Sequence, residues 1–322
     1  MVHFPYPTVT VFGASGFIGR YVVKRLAERG VVVRAVCRKA EHGKFLKPMG
    51  EVGQITPIGI DIHDAPALKA AVAGSDAVIN LMGILYQKGR SRFDTVHHQA
   101  PKHIAEACRD FHVKRFIHIS AIGANPNAKS LYAKSKGLGE ADIVQAFPAA
   151  TILRPSIVFG AEDNFFNLFA SLARLSPVLP LIGGGHTKFQ PVYVGDVADA
   201  VSRCLEDSHT AGKIYELGGP EIYSFGALLE AMLKETGKKR LLVPIPFWLA
   251  KIKAFFLEFM PHPLLTRDQV ELLKSDTIVH KSSLSLHDLG ILPTGLSVIL
   301  PTYMDRFKAK GRFSQPHLNA AD

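Results

Sequence analysis

Short β-branched, apolar runs alternate with amphipathic stretches through the first half of the chain. The runs at 9–12, 31–36, 55–60, 77–81, 115–119 and 150–153 read as strands. Between them, 18–29 and 101–111 repeat apolar positions every three or four residues and read as helices. Such alternation implies a parallel sheet covered by helices on both faces. The nearly all-apolar runs AVI (77–79) and FIHI (116–119) fit a sheet buried on both sides. After about Arg154 glycine and proline become denser (Pro155, Gly160, Pro177, Pro180, Gly183 to Gly185), and helical stretches are separated by irregular segments. The predicted architecture is therefore α/β, a doubly wound parallel sheet within residues 1–155 and a smaller mixed lobe within 156–322. The two are expected to interleave in part, with 192–194 and 214–217 returning to the sheet. From about Lys308 the chain is polar and reads as a loose tail.

Bulk composition narrows the function classes. The 322 residues are 47% hydrophobic, enough for a sizeable core, and show no internal repeat. Cys37, Cys108 and Cys204 are scattered and odd in number, which suits a reducing compartment and no disulfide framework. The opening MVHFPYPTVTVFG leaves no room for a signal or transit peptide before the first strand. No apolar run approaches the roughly 20 residues that span a bilayer, so a soluble or peripheral protein facing the cytoplasm is expected. The net charge of +10 suits an anionic partner such as a phosphate-rich cofactor, an acidic lipid surface or an acidic protein; a basic surface with no special partner is the plainer alternative. Nucleic acid is not expected, because the cations are dispersed and no recognition motif accompanies them.

The chemistry concentrates at TVTVFGASGFIGR, residues 8–20. Gly13, Gly16 and Gly19 stand at a G-x-x-G-x-x-G spacing between a strand and an apolar helix. Gly13 permits the tight turn, Gly16 lets backbone approach a diphosphate, and Gly19 lets the helix pack closely on the sheet. The amides of Ser15, Gly16, Phe17 and Ile18 then point outward at the positive end of a helix. This is the Rossmann-type arrangement for a dinucleotide. Arg38 and Lys39 close the second strand, where an acid would favour NAD; an arginine offers a fork to a 2′-phosphate and favours NADP(H), against the alternative of a solvated cationic pair. Asp61, beside Ile62, is placed to accept from the adenine amine, whereas Asp64 reads as a helix cap. Leu81, Met82 and Gly83 close the fourth strand, where the glycine lets backbone lie along a ribose. Tyr132 and Lys136 form a Y-x-x-x-K pair on one helical face, a general acid/base with a lysine that lowers its pKa and holds the nicotinamide ribose. His97, His98 and His103 lack a carboxylate at ligand spacing and read as helix-surface histidines, so no metal is expected. Gly183 to Gly185 reads as a turn.

Together these residues resemble the short-chain dehydrogenase/reductase superfamily in its extended or atypical branch, from GASGFIG through Arg38, Asp61, NLMG and YAKSK to LRPSIVFG, PVYVGDVADAV and YELGGPE. The resemblance implies that Asp196 orders a loop beside the substrate lobe and that Pro155 lies near the nicotinamide. It also implies a catalytic serine after the fifth strand. Ser120 is either that serine or its neighbour, with Ala121 in the true position, a loss that would cost about 10²–10³ in rate.

PLLTRDQVELLKSD (263–276) makes local sense as a helix capped by Thr266 with Gln269 as its capping-box partner, burying Val270, Leu272 and Leu273. With VFGASGFIGRYVVKRL, FIHISAIGA, RPSIVFG and FQPVYVGDVADAV, it is similar to the nucleotide-binding accessory subunits of respiratory complex I. That resemblance implies a tightly held NADPH without turnover, complex I subunits as partners, and a peripheral place on the cytoplasmic side of the inner membrane, near the quinone site. PFWLAKIKAFFLEFM (246–260) bears on docking. On a helical wheel Trp248, Leu249, Ile252, Phe255, Phe256, Phe259 and Met260 share one side, which fits either a membrane or subunit interface or the core of the second lobe. Two other functions stay open: a free-standing NADP-dependent reductase or epimerase acting on a sugar nucleotide, isoprenoid or quinone-like carbonyl, and a regulator that senses the NADPH/NADP ratio.

Overall fold

The computed structural model describes residues 4–308; the polar tail beyond Lys308 lies outside them. The first half runs β1 (Thr8–Phe12), α1 (Phe17–Glu28), β2 (Val32–Cys37), β3 (Ile55–Gly59), α2 (Ala65–Val72), β4 (Ala77–Asn80), α3 (Ala100–Asp110), β5 (Arg115–Ile119), α4 (Leu131–Ala146) and β6 (Thr151–Pro155). The chain continues through β7 (Val158–Phe159), α5 (Phe165–Leu175), β8 (Val178–Ile182), β9 (Lys188–Phe189), β10 (Val192–Tyr193), α6 (Val194–Glu206), β11 (Ile214–Leu217) and β12 (Tyr223–Ser224). It ends in α7 (Phe225–Thr236), β13 (Leu241–Ile245), α8 (Phe247–Leu257), α9 (Arg267–Leu272) and α10 (Leu296–Met304). All six strands expected in the first half form, with ends displaced by a residue or two.

Seven strands make one parallel sheet in the order β11-β6-β5-β4-β1-β2-β3. Alternate residues serve opposite faces, as the two-residue strand period requires. Val9, Val11, Ala77, Ile79 and Ile117 face a core shared with α1 and α6. Phe12, Val78 and Phe116 face a second core with α2, α3 and α4. The sheet is thus wound on both sides, and its order reverses between β1 and β4, which opens a crevice at the carboxyl ends of those strands. A third apolar cluster, including Phe159, Phe166, Leu179, Phe225, Met232, Val270 and Tyr303, belongs to the later segments.

The expectation for 192–194 needs correction. Val192 and Tyr193 pair with β7 in a separate two-stranded ribbon, and Val194 already begins α6. The Tyr193–Val194 junction turns helical because the apolar face of α6, with Val197, Val201 and Leu205 buried, packs on the sheet beside α1. By contrast 214–217 does join the large sheet, as its edge strand β11.

Arg115, at the start of β5, is buried and has no carboxylate partner among the described residues. Its Nη2 donates to the Cys204 carbonyl (2.5 Å), Thr210 Oγ1 (2.6 Å) and Thr151 Oγ1 (3.2 Å). The Cys204 carbonyl lies in the last turn of α6, so the guanidinium meets the negative end of that helix and joins three elements. Arg115→Met leaves these acceptors buried without that donor and is expected to lower the unfolding free energy by about 1–3 kcal/mol. Urea unfolding measures it, and an unchanged midpoint would contradict the assignment.

Candidate functional site

The crevice between β1 and β4 is built by backbone meeting backbone. Gly13 has φ +78°, in the left-handed region, and a Cβ there would lie 3.1 Å from the Leu81 carbonyl carbon and oxygen. Its amide donates to the Val36 carbonyl at 3.1 Å, which ties the turn to β2. A Cβ on Gly19 would stand 2.3 Å from the Gly13 carbonyl oxygen, so α1 can sit this close to the turn only with glycine there. Gly16 is the N-cap of α1 and offers no capping side chain, and no acid stands in the first turn. Phe17 and Ile18 are half-buried, as is Ser15.

Arg38 and Lys39 are exposed at the end of β2 and make no ion pair among the described residues. Asp61 closes β3 in the open; His63 donates its amide to Oδ1 (3.0 Å), and Arg90 stands 3.3 Å from Oδ2. The His63 amide, then the Arg90 guanidinium, hold its carboxyl below the usual range. Ile62 is half-buried beside it. Asp64 caps α2 through the Ala67 amide at 3.0 Å. After β4, Asn80 Oδ1 accepts from the Met82 amide at 3.1 Å and shapes the Leu81-Met82-Gly83 segment.

Tyr132 and Lys136 lie in the first turns of α4. Ser130 caps the helix, and a carboxylate from far along the chain adds to it. Asp268 accepts from the Leu131 amide (2.6 Å), the Ser130 hydroxyl (3.0 Å) and the Tyr132 amide (3.1 Å). Sequence reasoning found the capping box of Thr266 and Gln269, which forms, but missed Asp268. An acid in the first turn of α9 serves that helix as well, so nothing local marked its second role.

Lys136 is buried, with Nζ donating to the Ile119 carbonyl at 3.1 Å. Loss of water pushes its pKa down to about 8, opposed by Glu140. Tyr132 is half-buried, and burial pushes its phenol up to about 12. In this structure burial alone sets the shift of the phenol and favours its protonated form. Ser120 is buried, and its hydroxyl has no hydrogen-bond partner among the described residues, whereas Ala121 is half-exposed. Pro155 ends β6 and its carbonyl accepts from the Ile122 amide at 3.1 Å, which ties the post-β5 loop to the end of β6. Asp196 takes the Thr294 amide (2.6 Å) and hydroxyl (2.8 Å) and so holds the loop before α10.

The surface reading is corrected for His97 alone, whereas His98 and His103 are partly exposed. His97 is fully buried beneath Tyr132 (ring centroids 5.2 Å apart), because Thr95–Gln99 forms a π-helical turn directed inward. His98 lies between Asp94 (2.8 Å) and Asp142 (3.0 Å), and His103 lies 3.5 Å from Glu106. Among the described residues no group of three or more His, Cys, Asp or Glu is placed to hold a metal ion.

Helix α8 settles how its stripe faces. Ala250 and Ala254 are buried, whereas Trp248 is 66% exposed, Phe256 67% and Phe259 76%. The small face packs inward and the aromatic face is bare, with Leu249 half-buried at its edge. Arg267 lies over Phe255 at 5.1 Å, and Lys251 pairs with Glu271 at 3.2 Å. Among the described residues no helix is long and apolar enough to cross a membrane.

A dinucleotide fits this crevice on two observations: a glycine-only turn beside an uncapped helix start, and a free guanidinium at the end of β2. Comparison with known proteins agrees in kind. The profile of the NAD dependent epimerase/dehydratase family matches residues 9–218. The chain is 36% identical over 314 residues to the mitochondrial NADH dehydrogenase [ubiquinone] 1 alpha subcomplex subunit 9 of Arabidopsis thaliana, covering 94% of this chain and 78% of that one. It is 32% identical over 310 residues to the mitochondrial NADH-ubiquinone oxidoreductase 40 kDa subunit of Neurospora crassa, covering 96% and 82%. The fold matches that of DesIV, a dTDP-glucose 4,6-dehydratase of Streptomyces venezuelae solved with NAD and TYD, with TM-score 0.72 and 19% identity over 93% of this chain and 96% of that one.

Lys136 supplies a test of the site's electrostatics. The folded chain holds this proton less tightly (about 8) than the ordinary 10.5, so unfolding takes up protons between those values. The buried ammonium thus costs stability fully below pH 8, and the cost lifts as pH rises toward 10.5. Lys136→Met is expected to stabilise the ligand-free protein at pH 7 by up to about 3 kcal/mol. The gain should vanish near pH 11, as urea unfolding at both pH values would show; an equal gain at both would exclude this origin.

Proposed function

This chain belongs to the NAD dependent epimerase/dehydratase family and, within it, to the family of complex I alpha subcomplex subunit 9, and on that premise we propose that it is an NADP(H)-holding accessory subunit of a respiratory NADH:quinone oxidoreductase. The observation that carries the cofactor part is Arg38, exposed and without an acidic neighbour beside the glycine turn. The amides of residues 15–18 would take the diphosphate, Arg38 and Lys39 the 2′-phosphate, Asp61 and Ile62 the adenine side. Gly83, Lys136 and Pro155 would flank the nicotinamide half. The bound coenzyme would supply a hydride donor, while this chain's residues orient it and keep water out. A structural rather than catalytic role is supported by the buried Ser120 hydroxyl beside Ala121 and by the engagement of Lys136 with the Ile119 carbonyl.

The coenzyme stabilises only the folded chain, by RT ln(1 + [L]/Kd), about 2.7 kcal/mol at a hundredfold excess over Kd. Arg38→Glu is expected to remove most of the stabilisation by NADPH and to weaken assembly with the other subunits. Mild-detergent extraction of membranes, followed by identification of companions and bound nucleotide, measures both. A chain recovered without companions, whose hydride transfer to a carbonyl substrate is lost in Tyr132→Phe, would establish a free-standing reductase instead.

The bare face of α8 supports a peripheral seat at an anionic bilayer surface, on the side of the inner membrane that carries the NADH-oxidising arm. Trp248, Phe256 and Phe259 supply apolar area that suits the headgroup layer, and the exposed Lys253 supplies charge. The protein is expected to float with vesicles containing anionic lipid at low salt, with a blue shift of Trp248 emission, and to lose most of this in Phe256→Ser. No association at low salt would exclude the bilayer and leave a protein subunit as the partner of this face.

A further inference from the structure

We propose that His97 is a positioning residue for the nicotinamide half of the coenzyme site, locking the loop after β4 to the helix that carries Tyr132 and Lys136. The proposal rests on the nucleotide-binding reading above and assigns a role to a side chain outside the glycine turn and the Y-x-x-x-K pair.

The hydrogen bonds determine the state of the ring. The Ile84 amide donates to His97 Nε2 at 3.0 Å, and a backbone amide can only donate, so Nε2 carries no proton. The neutral ring then bears its hydrogen on Nδ1, which faces Ser135 Oγ at 3.0 Å. Ser135 in turn donates to the Tyr132 carbonyl at 2.8 Å. One directed chain therefore runs from the post-β4 loop through the imidazole into the first turn of α4. Burial, reinforced by Lys136 and His118, keeps the ring unprotonated, so this direction does not reverse near neutral pH.

Packing leaves the ring little freedom. Phe93 stacks on it with centroids 5.5 Å apart and planes 21° apart, and Tyr132 meets both rings edge-on, its centroid 5.2 Å from His97 and 5.8 Å from Phe93. The main chain is equally confined, because a Cβ on Gly139 would stand 1.9 Å from the His97 carbonyl oxygen. The π-helical turn at Thr95–Gln99 presents the ring here, and such turns are often found at functional sites. The lock converges on Gly83, where a Cβ would lie 3.7 Å from Lys136 Nζ and 3.8 Å from His97 Nε2. His97 thus sets the spacing between Gly83 and the Lys136 ammonium, the two groups assigned to the nicotinamide ribose.

The test compares two ligands on the full chain by titration calorimetry: NADPH, which needs both halves of the site, and adenosine 2′,5′-bisphosphate, which needs only the adenine half. His97→Phe keeps ring size and packing but removes both hydrogen bonds. It is expected to weaken NADPH about tenfold while leaving the bisphosphate within about twofold. His97→Gln, whose carbonyl oxygen can accept from Ile84, should recover most of the loss. Ser135→Ala breaks only the second link and should weaken NADPH selectively but less, which keeps the test decisive if the phenylalanine variant does not fold. Unchanged NADPH affinity in these variants, or equal loss of both ligands, would overturn the role of His97. A wild-type chain that binds neither compound would sink the coenzyme reading itself, and this proposal with it.

Discussion

The structure depends on one close approach, where β1 turns into α1 against the end of β4. Gly19 meets the Gly13 carbonyl at a distance that no side chain tolerates, and Gly13 meets the Leu81 carbonyl in a left-handed conformation that favours glycine. Because the sheet order reverses between β1 and β4, helices leave on opposite faces at this point, and the carboxyl ends of the strands open into a crevice. The same constraint leaves the first amides of α1 without a capping side chain. The cores on the two faces of the sheet, and the lobe beyond, hold this contact in place.

Helix α4 is the second organiser, and it is held by polar contacts more than by an apolar stripe. Asp268 caps its start, Lys136 reaches back to β5, and Glu140 pairs with Arg154 of β6, Nε to Oε1 at 2.9 Å. Glu216 of β11 lies 3.9 Å from the same guanidinium and accepts from His280. Gly137 and Gly139 let neighbouring backbone come close to the helix: a Cβ would stand 2.4 Å from the Asn125 carbonyl carbon and 1.9 Å from the His97 oxygen. Burial charges Lys136 and Tyr132 an electrostatic cost in opposite senses, disfavouring the ammonium and the phenolate alike.

Much of this was legible in the chain because it rests on local signals. The period of apolar residues located the strands of the first half, and the glycine spacing located the turn, since both express backbone geometry that only certain residues permit. The failures share a physical cause. Val192 to Val194 has the composition of a sheet strand, yet only tertiary packing decides that it ends in a helix on the sheet's flank. His97 looked like a surface residue because π-helical winding shifts the face a residue presents, and sequence period assumes 3.6 residues per turn. Asp268 acts across 136 residues on Tyr132, beyond any window of local pattern. Helix α8 was ambiguous because amphipathicity identifies a face without saying which side turns inward; buried alanines at 250 and 254 resolve it.

The reach of Asp268 has a thermodynamic consequence. The start of α4 is completed by a segment of the later lobe, so the helix cannot be fully ordered while that segment is displaced. Whatever binds preferentially to the ordered helix must favour the seated segment by the same free energy, and whatever grips the segment must favour the helix in return. The start of α4 and the segment that carries Asp268 are therefore bound by reciprocity.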